Sequence, residues 1–511
     1  METRIISLDL SRPMGEFSRE ANFAVSASRA YTLLSRRHQE AVMKGRKECG
    51  FSYLRFHGLF QDDMGIYRED AFGNPIWGWQ YVDEVYDFLH DAGIRPFVVL
   101  DFMPDALKSS DDTIYWERSN ITPPRDLHKW EELVYRTASH FRDRYGEEEV
   151  AKWFFEVWNE PDGYFFKGTM EDYLALYKAS ACAVKRASPS FRVGGPAVAG
   201  NPAWIKSLIE YCHDNAIPLD FISAHSYSLT NFNPENTLHP EPGLPQWSPG
   251  TPWKLGNGAY KPDGSEEHLR LYNEAIKSSP MPGLPLYITE FGLSYDYWDP
   301  MRDSYEAASY LLSRLNALSG QAKCFSTCEI SDIFEEDGPP TQDHFHGGFG
   351  LLNLQNIPKP AYFAYRFLHA LSDIRLFCSE KDVIACGGSH GAEVLFWDAS
   401  ARQDKDNKHY FNTSHPPKKA PDVDLRFISL APGEYSLTLT FVGYRKNDAY
   451  SLFLDLPKKD SLSRDEVEAL KEAASGKPSL QKTVTVKDDG RFSYRVAMDE
   501  NDVCLLTLRN L

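Results

Sequence analysis

The chain has 511 residues, with 55 Lys or Arg against 73 Asp or Glu and a formal net charge of −18. That length exceeds one ordinary core and predicts two or three domains, and the acidic balance argues against nucleic acid and anionic membranes as partners. Hydrophobic residues make up 42% and aromatics 14%, including 11 Trp and 27 Tyr, which suits large cores and sugar sites alike, since sugars stack on aromatic faces.

Residues 4–10 read as a short strand, and residues 22–25 as a first barrel strand inside a loop. A helix over 39–49 ends at Gly50, and residues 51–58 form a strand with His57 at its polar tip. Then come a helix over 80–92, a strand over 95–101, a loop with Trp116 and Pro123-Pro124, and a helix over 128–145. The run 153–160 (WFFEVWNE) is an aromatic-rich strand stopped by Pro161, which cannot extend a ladder. A helix over 170–187, a strand over 191–196, a helix over 202–215 and a strand over 219–227 ending in His-Ser-Tyr follow. Residues 230–264 form a Pro-, Gly- and Asn-rich loop carrying Trp247, Trp253 and Tyr260. The series closes with a helix over 266–277, a strand over 284–292 ending in Thr-Glu-Phe-Gly, a helix over 304–318, a strand over 323–332 and a helix over 360–371.

Eight strand–helix alternations predict parallel βαβ units closed into a (β/α)8 TIM barrel, somewhat longer than the ~250 residues typical of that fold. A doubly wound open sheet ranks lower, because no Gly-rich phosphate loop follows any strand. From residue 375 onward, short strands at 383–386, 392–397, 427–430, 435–442, 483–486 and 503–508 predict an antiparallel β-sandwich with one helix near 463–474. The expected class is therefore α/β, with a barrel over 15–372 and an accessory β-sandwich domain from 1–14 plus 373–511. Strand 4–10 would tie the chain's start to the sandwich, and 402–420 reads as an exposed loop.

The eight cysteines, at 49, 182, 212, 324, 328, 378, 386 and 504, show no C-x-x-C spacing and read as reduced thiols of a cytoplasmic protein. Residues 1–10 carry no apolar signal segment, and no apolar run reaches the ~18 residues of a membrane helix, so no membrane partner is expected.

Barrel enzymes place reacting groups at the C-terminal ends of strands. Four such ends are polar: His57, Asn159-Glu160, His225 with Tyr227, and Glu290. Glu160 ends the fourth strand and Glu290 the seventh, so both face one mouth. Glycoside cleavage needs such a pair, with one carboxyl protonated to donate to the leaving oxygen and the other ionised to attack the anomeric carbon. A like charge nearby raises the first carboxyl's pKa and separates the roles. For a single Glu, a salt bridge capping the strand would be the plain reading; two at equivalent ends favour chemistry. His57 and His225 are also compatible with satisfied core histidines, and Tyr227 with packing.

His344-Phe345-His346 resembles a metal pair, but no set of Asp, Glu or Cys completes a zinc site although Asp343 adjoins it. It reads as a loop bordering the mouth before Gly347-Gly348-Phe349-Gly350. No G-x-S-x-G elbow is present. No metal or cofactor is expected.

Residues 53–59 (YLRFHGL), 120–124 (NITPP), 155–161 (FEVWNEP), 193–197 (VGGPA), 225–227 (HSY), 288–290 (ITE), 331–336 (SDIFEE) and 346–351 (HGGFGL) together resemble glycoside hydrolase family 39, close to its bacterial β-xylosidases. The resemblance implies a general acid/base at Glu160 and a nucleophile at Glu290. It implies sugar contacts from His57, Asn159, His225 and Tyr227, and from Phe334, Glu335 and Glu336, with Asn159 on the 2-hydroxyl and Tyr227 against the nucleophile. It further implies retention of configuration, hence carboxyl groups about 5–5.5 Å apart. The expected reaction is release of a terminal sugar, foremost β-D-xylosyl, from plant-type oligosaccharides, with α-L-arabinosyl or another glycoside as the alternative and a homo-oligomer as one assembly option.

Two departures bear on the sugar. The family's Tyr-Trp-Thr-Phe before Ser-Asp is Thr327-Cys328-Glu329-Ile330 here, so Cys328 replaces an aromatic platform and Glu329 adds a carboxyl. The loop 230–264 is longer than in the xylosidases compared. A carbohydrate-binding protein without catalysis is the competing class, and the paired Glu160 and Glu290 count against it.

Overall fold

A computed structural model describes residues 3–227, 264–294, 299–336, 338, 344–400, 408–457 and 461–511, with the backbone of two short strands, His239–Pro240 and Trp253–Lys254. Most of the expected loop 230–264, Trp247 included, lies outside the described residues.

Eight parallel strands close a barrel: β1 (Ala24–Arg29), β2 (Tyr53–His57), β3 (Arg95–Leu100), β4 (Phe154–Val157), β5 (Arg192–Val198), β6 (Phe221–Tyr227), β7 (Leu286–Gly292) and β8 (Phe325–Thr327). Eight helices alternate with them: α1 (Arg36–Cys49), α2 (Gln80–Asp91), α3 (Leu127–Tyr145), α4 (Met170–Ala187), α5 (Pro202–Asp214), α6 (Gly264–Lys277), α7 (Glu306–Leu318) and α8 (Pro360–Ala370). The strands are buried on both faces, as a parallel sheet sheathed in helices requires. Local signals set the helix bounds. Asp126 caps α3, and Thr169 and Asp172 form a capping box that starts α4.

Alternate residues point inward and stack in layers along the axis. Phe23, Tyr53, Phe97, Phe154, Phe221 and Tyr287 close the barrel floor, with Phe97 and Phe154 stacked at 4.7 Å. Two residues on, the same strands turn Arg55 and Glu156 inward, and both are fully buried. The polar strand ends lie above that ion pair.

Two barrel expectations change. The first strand runs over 24–29 rather than 22–25, because a 3-10 turn occupies Glu20–Asn22. The eighth is three residues long rather than spanning 323–332. Beyond Thr327 the pairing turns irregular: Cys328 N–H donates to Phe291 O of β7 at 3.0 Å and Ile330 N–H to Ser26 O of β1 at 2.9 Å, while Glu329 N–H turns to Phe349 O at 3.0 Å. The returning segment around residue 349 thus takes the bond of Glu329 and interrupts the regular ladder of β8.

The accessory part has two sheets. One orders Pro13–Glu16, Ile374–Leu376, Val383–Gly388, Gly391–Trp397, Val503–Asn510, Gly433–Val442 and Leu480–Val486. The other orders Arg4–Asp9, Val423–Ile428 and Phe492–Val496, and its first pair is parallel. The strand expected at 427–430 instead ends at Ile428, where Ser429 turns to φ +63°. A helix occupies Arg464–Ala473, and a further one, Ala449–Asp455, was not anticipated. In the larger sheet, Val383, Ala385, Val394, Phe396, Cys504 and Leu506 face the sandwich core. The alternate residues Ile384, Cys386, Leu395, Trp397, Val503 and Leu505 join the barrel's core. Trp397 Nε1 donates to Ser313 of α7 at 2.8 Å. All eight cysteines are unpaired. Among the described residues, no helix is long and apolar enough to cross a membrane.

Candidate active site

Glu160 is delivered by a turn after β4 whose backbone is left-handed at Trp158 (φ +68°) and at Glu160 itself (φ +42°). Such conformations are costly for side chains other than Gly and persist only where surroundings hold them. Here Trp158 is fully buried, donates from Nε1 to Phe165 O at 2.9 Å and packs edge-on against Phe102 and Phe166. Glu160 N–H donates to Ala197 O at 3.0 Å. Asp162 accepts the backbone N–H groups of Ala199 and Asn201 at 2.8 and 2.9 Å, pinning the loop after β5 to the same turn.

Glu290, from β7, lies beside His225 in strand register. Its Oε1 accepts from Arg55 Nη1 at 2.8 Å and meets His57 Nε2 at 3.2 Å, while its Oε2 accepts from Tyr227 Oη at 2.6 Å. His225 Nδ1 lies 2.6 Å from Glu160 Oε1 and 3.5 Å from Glu290 Oε2. Donor atoms of Glu160, His225 and Glu290 all fall within 4.8 Å of one another.

Arg55 organises this cluster from below. Its Nε donates to Glu156 at 2.7 Å, Nη1 to Glu290, and Nη2 to Asn159 Oδ1 at 2.9 Å. Thr289 Oγ1 saturates the other Glu156 oxygen at 2.8 Å. Because the Asn159 oxygen is taken by Arg55, its amide NH2 is the group left for a ligand. His57 is held from the other side by Asp101 at 3.2 Å, whose second oxygen accepts Gly58 N–H at 2.7 Å.

The two carboxyls differ in charge state. Burial, the Glu290 charge and the Asp162 charge hold Glu160 well above the usual carboxyl range, against the weaker pull of His57 and Arg55. Burial also acts to raise Glu290, but the hydrogen bond from His57 and the charges of Arg55 and His57 outweigh it and hold the carboxyl well below that range. His57 keeps its proton: burial opposes the charge, but the bonds to Asp101 and Glu290 raise it to about 10. His225 is driven down to about 3 by burial and is neutral. At neutral pH the cluster thus presents a protonated Glu160 facing an ionised Glu290, with Arg55 and His57 as the cations.

His57, Asn159, Glu160, His225, Tyr227 and Glu290 therefore converge on one cluster. Phe334, Glu335 and Glu336 follow β8 and meet further partners. Glu335 pairs with Arg29 at 3.0 Å, Phe334 packs 5.0 Å from Phe349, and the Glu336 carbonyl accepts Trp116 N–H at 3.0 Å. Arg55, Glu156 and Asp101 were not singled out from sequence. The available signal was alternation: Arg55 shares a strand face with His57, and Glu156 is a lone charge in an apolar run.

The carboxylate–histidine trio has metal-ligand spacing, but its chemistry fits a proton better. Arg55 and the protonated His57 already neutralise Glu290, and a divalent cation would meet both positive charges. Among the described residues it is the one such group; His344 and His346 gain no third donor, and Asp343 lies outside the described residues.

The sequence profile of Glycosyl hydrolases family 39 matches residues 4–241 and 262–493. The chain is 30% identical over 513 residues to a β-xylosidase of Geobacillus stearothermophilus, covering 97% of this chain and 94% of that one. It is 36% identical over 380 residues to a β-xylosidase of Caldicellulosiruptor saccharolyticus, covering 74% of each. A crystal structure of a monomeric β-xylosidase from Caulobacter crescentus superposes with TM-score 0.90 at 34% identity, covering 99% of this chain and 100% of that one.

Proposed function

The chain belongs to glycosyl hydrolase family 39 and is a glycosidase; from that premise we propose that it releases a terminal β-D-xylosyl unit from plant-type oligosaccharides with retention of configuration. The observation that carries this reading is the opposed charge state of two carboxyls whose oxygens approach within 4.8 Å. Retaining glycosidases hold their carboxyls about 5–5.5 Å apart, whereas inverting ones leave about 6.5–9.5 Å for a water.

Glu290 attacks the anomeric carbon while Glu160 gives its proton to the leaving oxygen. Attack consumes the Glu290 charge, which removes one of the causes that raised Glu160. The Glu160 carboxylate then takes a proton from water, and that water releases the sugar from Glu290. Arg55 and His57 keep Glu290 ionised, and Tyr227 orients its second oxygen. Asn159, its oxygen fixed by Arg55, donates to the sugar 2-hydroxyl. Phe334, Glu335 and Glu336 follow β8 on the β1 side, where Glu335 pairs with Arg29, and would contact the sugar. The catalytic unit is residues 15–372, with 1–14 plus 373–511 as its accessory unit. The unpaired cysteines support a cytoplasmic place of action, and the Caulobacter relative supports a monomer over a homo-oligomer.

Turnover of p-nitrophenyl β-D-xyloside, α-L-arabinopyranoside, β-D-glucoside and β-D-galactoside tests the sugar, and proton NMR of the first-formed anomer tests the stereochemistry. Highest kcat/KM on the xyloside with the β-anomer appearing first is expected. An α-anomer first overturns retention, and inactivity on the whole panel favours the carbohydrate-binding alternative.

A further inference from the structure

Glu329 is a buried carboxyl beside the cluster that the double displacement leaves unused. It follows β8, between Cys328 N–H, which donates to Phe291 O of β7 at 3.0 Å, and Ile330 N–H, which donates to Ser26 O of β1 at 2.9 Å. One of its oxygens accepts the backbone N–H of Ser28, and the other faces Cys328 Sγ at 3.5 Å. A carboxylate has about four acceptor sites, and a thiol is a weak donor, so these partners leave it unsaturated. Capping one backbone N–H needs only a hydroxyl, whereas burying a carboxyl is costly. Its place just past the C-terminal end of β8 puts it at the barrel mouth, where burial raises its carboxyl to about 7 against the pull of the Ser28 N–H and the His57 charge. By strand order it stands across the barrel from Glu160, on the side where the sugar ring rather than the leaving group belongs.

Cations near this side are already committed. Arg29 pairs with Asp63 and Glu335, Arg55 with Glu156 and Glu290, and Lys359 with Asp303 and Asp332. Among the described residues, a sugar bearing its own carboxylate would therefore meet Glu329 and Glu290 without an uncommitted cation to receive it.

We propose that Glu329 is the specificity-determining residue of the sugar pocket: its carboxyl accepts a hydrogen bond from a hydroxyl of a neutral glycosyl unit and excludes a uronic acid. This deepens the glycosidase reading and rests on it. Loss of the aromatic platform at Cys328 fits the same design, since recognition passes from ring stacking to a directional hydrogen bond.

The test compares D-xylose with D-glucuronate, which is xylose carrying a carboxylate on C5, as competitive inhibitors of aryl β-xyloside hydrolysis by the full chain. The wild type should prefer xylose at least tenfold. Glu329→Gln should narrow that preference at least fivefold and lower kcat/KM on the xyloside. Glu329→Asp, with the charge kept but drawn back, should lower kcat/KM while keeping the preference. Equal inhibition of the wild type by both sugars overturns the proposal, as does a Glu329→Gln form with unchanged preference and unchanged kcat/KM. If Glu329→Gln does not fold, Glu329→Asp decides alone, and unchanged kcat/KM in that variant overturns the proposal. Failure of the catalytic reading looks different: the wild type would be inactive on every aryl glycoside, and calorimetric binding of the two sugars would then carry the same comparison for Glu329.

Discussion

The mouth of this barrel holds buried carboxyls of two kinds. Between β2, β4 and β7, Glu156 and Glu290 are met by Arg55, His57, Thr289 and Tyr227, so each oxygen has a strong donor. At the seam between β8 and β1, Glu329 is met by one backbone N–H and one thiol. The saturated group has a set charge and geometry, which suits a nucleophile that must be ready before substrate arrives. The unsaturated group keeps acceptor capacity for a ligand. In the proposed reading, chemistry and selectivity thus rest on separate carboxyls of neighbouring strands, and a glycosidase can alter its sugar at the seam while keeping the carboxylate pair.

The largest effect should come from the saturated side. Glu290→Ala should cut hydrolysis of aryl glycosides by on the order of 10^4-fold or more, while sugar binding measured by calorimetry persists; near-normal turnover would remove Glu290 from its role. Glu160→Gln should cost about 10²–10⁴-fold on substrates with poor leaving groups and much less on dinitrophenyl glycosides, which depart without a proton. The pH profile supplies a further check on the same residue. Activity should fall as pH rises through the elevated Glu160 pKa, because the proton donor is lost, and that alkaline limb should vanish in Glu160→Gln.

Arg55→Met separates the two sides by stability. It strands Glu156 and Glu290 as buried charges, for which a loss of about 3–5 kcal/mol is expected in urea unfolding. Glu329→Gln keeps an acceptor for Ser28 and should lose far less; a comparable loss would make Glu329 a structural cap. A last check concerns His57, raised to about 10 from 6.5. The folded state holds that proton more tightly, so the contribution is fully present below pH 6.5 and is lost as pH rises through about 10. Melting temperature should therefore decline over that window, and His57→Asn should flatten the decline.

What could be read in advance follows physical range. Glu160, His57, His225, Tyr227 and Glu290 stand at polar ends of apolar strands, a pattern contained in a few consecutive residues. Arg55 and Glu156 obey the same alternation, yet their meaning lies in each other, 101 residues apart. Likewise, the outer strands 383–397 and 503–508 show strand character, but that both faces of their sheet are covered became visible only when the barrel packed against one of them. The short β8 escaped detection because its continuation divides its hydrogen bonds between the neighbouring strands and the distant segment near Phe349.

By itself, then, the sequence determined which residue types end each strand and that eight strands alternate with eight helices, since periodicity, capping and chain-breaking residues act locally. The tertiary structure decided which of two identical side chains keeps its proton and which gives it up. Protonation answers to the summed field of Arg55, His57, Asp162 and the surrounding burial, and that field exists only once the barrel closes and brings distant charges within a few ångströms.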